Sequence, residues 1–408
     1  MKTLLWPLGL AALLLSPLCA SAQPAATEQT RLTLDRAQEL AAAHSPELSS
    51  AQHEVDATSG GVMQAGAWRN PELTTTVEDF RSRTRTTTAT IGIPLELGGK
   101  RSARISAAER AHDVAAAQLA NSKAKVRSQV VARYFGLVVA QERLRLANDS
   151  AKLAAKAADV VGRRVDAGKV SPVDATRAKV DAANAQLEVA EAQSEVKAAR
   201  QTLAALWGES QPRFGDVDGD LSGVPAGPSS AELLRDLDNA PSLRATSLEI
   251  DSRKALVDVE RSKAVPDVVL SVGAKRDNEL GLTQAVVGIS IPLPLFDRNQ
   301  GAVYEASKRA KKAQDEYESA RVQLLADLSQ ATAQLSTAQA SLAVLRGTVL
   351  PAAQQAYDAS TTGFEAGKFG FLDVIDAQRS LLQARSRYLD TLVAAYQAST
   401  TIARLLGR

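Results

Sequence analysis

From Val268 to Leu293 the chain alternates: Val268, Leu270 and Val272, then Ala285, Val287, Ile289, Ile291 and Leu293 are apolar, while Ser271, Gly273, Gly288 and Ser290 between them are small or polar. Period-two alternation over such lengths predicts two β-strands with one apolar face. An apolar face opposite a small, polar one, over about ten residues, is the pattern of a strand between lipid and water. An earlier pair repeats it less sharply, one strand from about Glu72 to Phe80 and a second from Thr86 to Leu95, with Thr87, Ala89, Ile91, Ile93 and Leu95 sharing a face. Pro94 and Pro292 sit at strand ends, where a missing N–H harms the ladder least. The connectors 81–85 and 275–281 are polar and suit the aqueous end of a hairpin, and Trp68 and Phe296 flank the other end.

The rest of the pattern is helical. An alanine-rich helix is predicted over Leu34 to Ala67, interrupted near Pro46, and Pro71 ends it because a residue before proline avoids helical angles. No proline occurs from Lys100 to about Asp166, so one helix of roughly 100 Å is expected. A rod of that length belongs to a coiled assembly rather than a globular core. The last helix keeps apolar residues seven apart at Ile375, Leu382, Leu389, Tyr396 and Ala403, with Leu392 and Leu406 between, a helix-packing seam.

The same unit is written twice. Asn70-Pro71-Glu72-Leu73 recurs as Val265-Pro266-Asp267-Val268, Ile91-Gly92-Ile93-Pro94-Leu95 as Ile289-Ser290-Ile291-Pro292-Leu293, and Ala167-Gly168-Lys169 as Ala366-Gly367-Lys368. The near-constant displacement marks an internal repeat. The expected organisation is a signal peptide over 1–22, a first repeat over 23–213, a linker over 214–230 and a second repeat over 231–408, each repeat running helix, hairpin, long helix, tight turn, helix.

Four strands cannot close a barrel, and a sheet edge facing lipid leaves N–H and C=O groups unpaired at several kcal/mol each. Oligomerisation is therefore required. Two copies supply eight strands, with an interior filled by side chains, and three supply twelve, wide enough for water.

The N-terminus runs from Lys2 through an apolar stretch to Ala20-Ser21-Ala22, an export signal with Gln23 opening the mature chain; the alternative is a lipoprotein acylated at Cys19. Lysine and arginine number 48 against 46 acids, so no basic surface points to nucleic acid. The three histidines, His44, His53 and His112, lack ligand spacing, and no cofactor, metal or catalytic motif is expected. Asp216-Val217-Asp218-Gly219-Asp220 resembles part of a calcium loop without its terminal glutamate and is read as a linker turn.

Two turns stand out. Ser171-Pro172-Val173-Asp174 carries a helix-start signal, and Gly370-Phe371-Leu372-Asp373 repeats it without the hydroxyl. The string Gly363-Phe364-Glu365-Ala366-Gly367-Lys368-Phe369-Gly370-Phe371-Leu372-Asp373-Val374-Ile375-Asp376-Ala377-Gln378-Arg379 resembles the turn-and-helix signature of TolC-type outer-membrane factors. With the doubled element order, that resemblance spans the mature chain. Ile93-Pro94-Leu95-Glu96-Leu97-Gly98-Gly99-Lys100-Arg101 and Ile291-Pro292-Leu293-Pro294-Leu295-Phe296-Asp297-Arg298-Asn299-Gln300-Gly301 are similar to the cobalt-zinc-cadmium resistance, CzcC-type, branch. The resemblance implies a mainly α fold with a membrane β-barrel: a homotrimer whose twelve strands, four per chain, stand on a periplasmic helical barrel.

It also implies a channel rather than an enzyme, in the outer membrane, docked to a periplasmic adaptor and a proton-driven inner-membrane (RND-type) pump, exporting heavy-metal cations. Drug efflux or type I secretion is the alternative within the channel class, and a periplasmic adaptor the alternative outside it. By the same resemblance Asp373 and Asp376 are tunnel-gate candidates, with Asp174 and Arg177 at the matching first-copy positions. Arg177 breaks an all-acid ring, and Phe364 and Phe369 replace polar locking residues. Gly168, Lys169, Gly367 and Lys368 are the adaptor-contact turns, six per trimer.

Overall fold

A computed structural model describes residues 31–221, 223, 225–227 and 230–408. The expected signal peptide, with Cys19 and Gln23, lies outside the described residues. Strands β1 (Glu72–Glu78), β2 (Thr86–Leu95), β3 (Val268–Asp277) and β4 (Leu282–Ser290) form one antiparallel sheet in the order β1-β2-β3-β4. The two repeats thus meet at the β2–β3 pairing. Residues opposite one another in a ladder share a face. The register places Leu73, Ile91, Val272 and Val287 in one row and Ile93, Leu270 and Ile289 in the next, while Gly92, Ser271 and Gly288 form a row on the other face.

The apolar face is open: Leu73, Val287 and Ile289 are 74%, 80% and 68% exposed, and no described helix packs over the sheet. Among the described residues, both outer edges, on β1 and β4, also lack partners. The second face is crowded at its centre, where a Cβ on Gly273 would stand 2.0 Å from the Ala89 carbonyl oxygen. β4 ends at Ser290, short of the expected Leu293, because Pro292 and Pro294 remove two ladder donors.

The helices are α1 (Leu34–His44), α2 (Pro46–Gly66), α3 (Lys100–Asp166), α4 (Pro172–Ala204), α5 (Ser230–Leu237), α6 (Pro241–Ser262), α7 (Gln300–Val344), α8 (Leu350–Glu365) and α9 (Phe371–Leu406). The α3 rod is unbroken over 67 residues. Its second-copy counterpart is not: a π-turn at Leu345–Val349 separates α7 from α8. Pro351 has no N–H for the carbonyl four residues back, and a wider turn absorbs the lost register. Beneath the sheet α2, α3, α6 and α7 lie side by side in that order; farther away the order is α4, α3, α9, then α7 and α8.

Between these tiers the inter-repeat segment is strapped across the rods. The buried Tyr134 hydroxyl donates to the carbonyls of Leu32 (2.9 Å) and Asp218, and Tyr396, stacked on Phe135 at 3.8 Å, donates to that of Gly223 (3.0 Å). Burial, then the Asp218 charge, push the Tyr134 phenol up to about 12. Two of the three calcium-like aspartates already have cationic partners here: Asp216 accepts from Arg200 (2.6 Å), as well as from the Gln141 amide (2.8 Å), and Asp218 from Arg31 (3.1 Å).

At the junction of sheet and rods, the Glu96 side chain is 3% exposed and accepts from Arg69 Nε and Arg104 Nη2, each at 3.1 Å. Beside it Lys100 Nζ reaches Asp267 Oδ1 at 2.6 Å, and the Leu97 N–H donates to the same oxygen at 3.2 Å. Arg101 caps the end of α2 through the Gly66 carbonyl (2.9 and 2.6 Å) and lies 4.9 Å over the Trp68 ring. The second copy uses an amide clasp instead, Asn299 Nδ2 on the Glu260 carbonyl (2.7 Å) and carboxylate (2.8 Å).

Candidate functional site

The two tight turns lie at the end of the rods remote from the sheet, and they are built alike. After α3, the N–H of Gly168 donates to Val165 O and that of Lys169 to Arg164 O, each at 2.8 Å. After α8, Gly367 donates to Phe364 O (3.0 Å) and Lys368 to Gly363 O (2.8 Å). Each is a Schellman closure, which satisfies the last carbonyls and needs a left-handed residue. Gly168 and Gly367 supply it at φ +66° and +72°. Both glycines and both lysines are exposed.

The following helices begin differently. Ser171 Oγ accepts from the Val173 N–H at 3.2 Å, whereas the Asp373 carboxylate accepts from the Gly370 N–H at 2.8 Å. Asp373 therefore has a structural task as a helix cap beside any role in a tunnel. Asp174 is half-buried with the Arg177 guanidinium 4.0 Å away, and Asp376 is exposed. Among the described residues no hydrogen bond or ion pair joins the Asp174–Arg177 pair to Asp373 or Asp376.

The structure instead joins the two hairpins through residues whose pairing the sequence did not disclose. Arg164 lies 3.9 Å over the Phe364 ring, Phe364 packs on Phe371 at 5.9 Å, and Phe371 and Ile375 are buried with Val161 and Ala178 of the other hairpin. Higher up, Arg379 of α9 bonds Asp181 of α4 at 2.5 Å. Arg164 and Phe364 do not occupy matching repeat positions, so comparing the copies does not predict their contact. Phe369 folds back on Gly363, where a Cβ would stand 2.1 Å from the ring. Phe364 and Phe369, expected where the family carries polar locking residues, thus make aromatic and cation–π contacts.

Among the described residues no three His, Cys, Asp or Glu side chains are grouped to hold a metal ion. His53 Nε2 faces Ser49 Oγ (3.4 Å) and His112 Nδ1 faces Thr58 Oγ1 (3.1 Å). No described helix is long and apolar enough to cross a membrane.

Comparison with known proteins places this architecture. The sequence model for "Outer membrane efflux protein" matches residues 37–209 and again 235–408. The chain belongs to that family. Along its full length, and that of the relative, this efflux protein is 51% identical to the cobalt-zinc-cadmium resistance protein CzcC of Cupriavidus metallidurans. It is 35% identical to the nickel and cobalt resistance protein CnrC of the same organism, over 72% of this chain and 71% of that one. Its fold matches the outer-membrane protein VceC of Vibrio cholerae with a TM-score of 0.77 at 22% identity, covering 92% of this chain and 96% of that one. The efflux protein is an outer-membrane protein whose rods extend into the periplasm.

Proposed function

We propose that the efflux protein is the outer-membrane channel of a tripartite, proton-driven system exporting divalent heavy-metal cations such as cobalt, zinc or cadmium. The carrying observation is identity of 51% over the full length to a protein named for resistance to those three metals. It acts as a homotrimer: three four-stranded sheets pair edge to edge into a twelve-strand barrel, which removes the unpaired edges of β1 and β4. It is a conduit rather than an enzyme, and metal selection lies in the pump and the adaptor. The turns at Gly168-Lys169 and Gly367-Lys368, six per trimer, meet the hairpins of a periplasmic adaptor. Asp373 and Asp376 face the narrowed tip of the tunnel, with Asp174 and Arg177 beside them. Deletion in a strain without redundant channels tests the substrate: cobalt, zinc and cadmium tolerance fall while tolerance of hydrophobic drugs is kept. The opposite pattern reverses the assignment.

A further inference from the structure

The apolar face of the sheet does not stay apolar to the end of its strands. Going away from the rods, its rows run Leu73, Ile91, Val272 and Val287, then Thr75, Ala89, Ala274 and Ala285, then Val77, Thr87, Arg276 and Thr283. Arg276 lies on that face by register, and its Nη1 donates to Thr283 Oγ1 at 3.2 Å. Two residues from Thr87, Arg85 continues the face, its carbonyl accepting from the Asn278 N–H at 3.1 Å. Arg81 and Arg83 stand beside it in the β1–β2 connector, and all four arginines are exposed.

The acids of the same end are turned elsewhere or occupied. Glu78 and Asp277 share the Thr86 row, on the opposite face. Asp277 accepts from the N–H groups of Glu279 and Leu280 (3.0 and 3.1 Å), and Asp79 from the Arg81 N–H (3.1 Å) and the Thr84 hydroxyl (2.5 Å). Glu279 is exposed in the β3–β4 connector. At the rod end of the sheet Arg69, Lys100 and Arg104 each have a carboxylate partner, whereas among the described residues no ion pair is made by Arg81, Arg83, Arg85 or Arg276.

The height of these cations also matters. From the Leu95–Val268 row to the Thr87–Arg276 row is eight residues, about 27 Å along a strand and about 21 Å of height at a tilt of about 40°. The apolar band of a membrane barrel is about 25 Å tall. In the barrel proposed above the apolar face is the outer one, so Arg276 and Arg85 stand where the hydrocarbon of the distal leaflet gives way to headgroups. A guanidinium presents a planar fork of donors that fits two phosphate oxygens at once.

The geometry points to a binding site for an anionic lipid of the outer leaflet, held through its phosphate groups. Arg276 and Arg85 grip the headgroup at the rim of the apolar face, and Arg81 and Arg83 raise the positive field above it. The apolar rows nearer the rods take the acyl chains of the same molecule, a surface that a free phosphate ion would leave uncovered. This site rests on the barrel proposed above and adds a lipid to it.

The probes are diphosphoryl lipid A, its phosphate-free analogue and inorganic phosphate, offered to the detergent-extracted assembly and read by native mass measurement. The parent is expected to retain the diphosphoryl lipid about tenfold more strongly than the phosphate-free one, with millimolar inorganic phosphate failing to compete. Arg85→Gln combined with Arg276→Gln should abolish that preference. Lys275→Gln, which removes a cation from the opposite face in the Thr88 row, should keep it. Equal retention of the two lipids by the parent overturns the site without any variant. An assembled double variant that keeps the preference overturns it too, as does a Lys275→Gln chain that loses it equally. Competition by inorganic phosphate gives the arginines to a free anion and overturns the lipid. Heat-resistant assembly on a denaturing gel separates these outcomes from failure of the barrel itself: a parent that forms no assembly defeats both proposals, whereas an assembled parent without the preference defeats only this one.

Discussion

Glu96 is the most consequential side chain at the junction between barrel and rods, and its removal has a size that the geometry sets. Its carboxylate is 3% exposed and is held by Arg104 and Arg69, which are 30% and 56% exposed. Hydrogen bonds to charged groups contribute about 1.5–3 kcal/mol each, and solvent at Arg69 reduces its share toward that of a surface pair. Glu96→Gln keeps the shape, removes the charge and leaves two guanidinium groups facing each other, so about 2 kcal/mol per chain is the expected loss. A cycle with Arg104→Gln should recover about 1 kcal/mol or more as coupling. The Arg104 hydrogen bond, opposed by burial and helped by Arg69, holds the Glu96 carboxyl below its ordinary 4.5. A depressed carboxyl contributes stability that is complete above its unfolded value and is lost as pH falls through the folded one. Thermal dissociation of the detergent-extracted protein should therefore fall steeply below pH 4.5 in the parent and less steeply in Glu96→Gln. Equal melting of the two at pH 7 would refute the junction argument, because a buried carboxylate with two cationic partners cannot be neutralised at no cost.

At the tip, Asp373→Asn keeps an acceptor for the Gly370 N–H while removing charge, whereas Asp373→Ala removes both and should cost about 1 kcal/mol more. Asp376→Ala leaves stability unchanged, and combined with Asp373→Asn it lowers cation preference and divalent response in planar bilayers; identical conductance and selectivity would leave Asp373 a helix cap only. A Cβ on Gly367 would meet no neighbouring atom within 4 Å, so the main cost of Gly367→Val is the left-handed backbone, about 1–2 kcal/mol, and co-purification should show weakened adaptor binding with the barrel still assembled. In the barrel, Gly273→Ala drives a Cβ into backbone at 2.0 Å, whereas Gly288→Ala meets only the Ser271 hydroxyl at 2.7 Å. The first should lower heat-resistant assembly by an overpacking cost of about 1–3 kcal/mol and the second by much less, and equal assembly on a denaturing gel would contradict the register.

Period and punctuation determined most of the architecture. Alternation at Val268–Val272 and Ala285–Ile289 places those side chains on the sheet's apolar face, proline at Pro46 and Pro71 separates the first helical elements, and the proline-free run is the 67-residue rod. These are local properties of the backbone and of a two-sided strand, so they are legible without knowing neighbours. Glycine at 168 and 367 was legible for the same reason, because a Schellman closure needs a left-handed residue whatever surrounds it. The seam of the last helix was only partly so: Ile375, Leu389, Leu392, Tyr396 and Leu406 are buried as their spacing predicts, but Leu381 and Ala384 are also buried while Leu382 is half-covered, since two adjoining rods widen the packed stripe. Tertiary structure alone decided the rest. It set Arg164 on Phe364, Arg379 on Asp181, and Glu96 between Arg69 and Arg104, pairs drawn from different helices and, at the tip, from different repeats. A charge pattern along one helix records which faces are polar, but which cation meets which anion depends on the azimuth and height at which separate rods come to rest. That is fixed by the packing of whole helices, after local periodicity has been spent on making them.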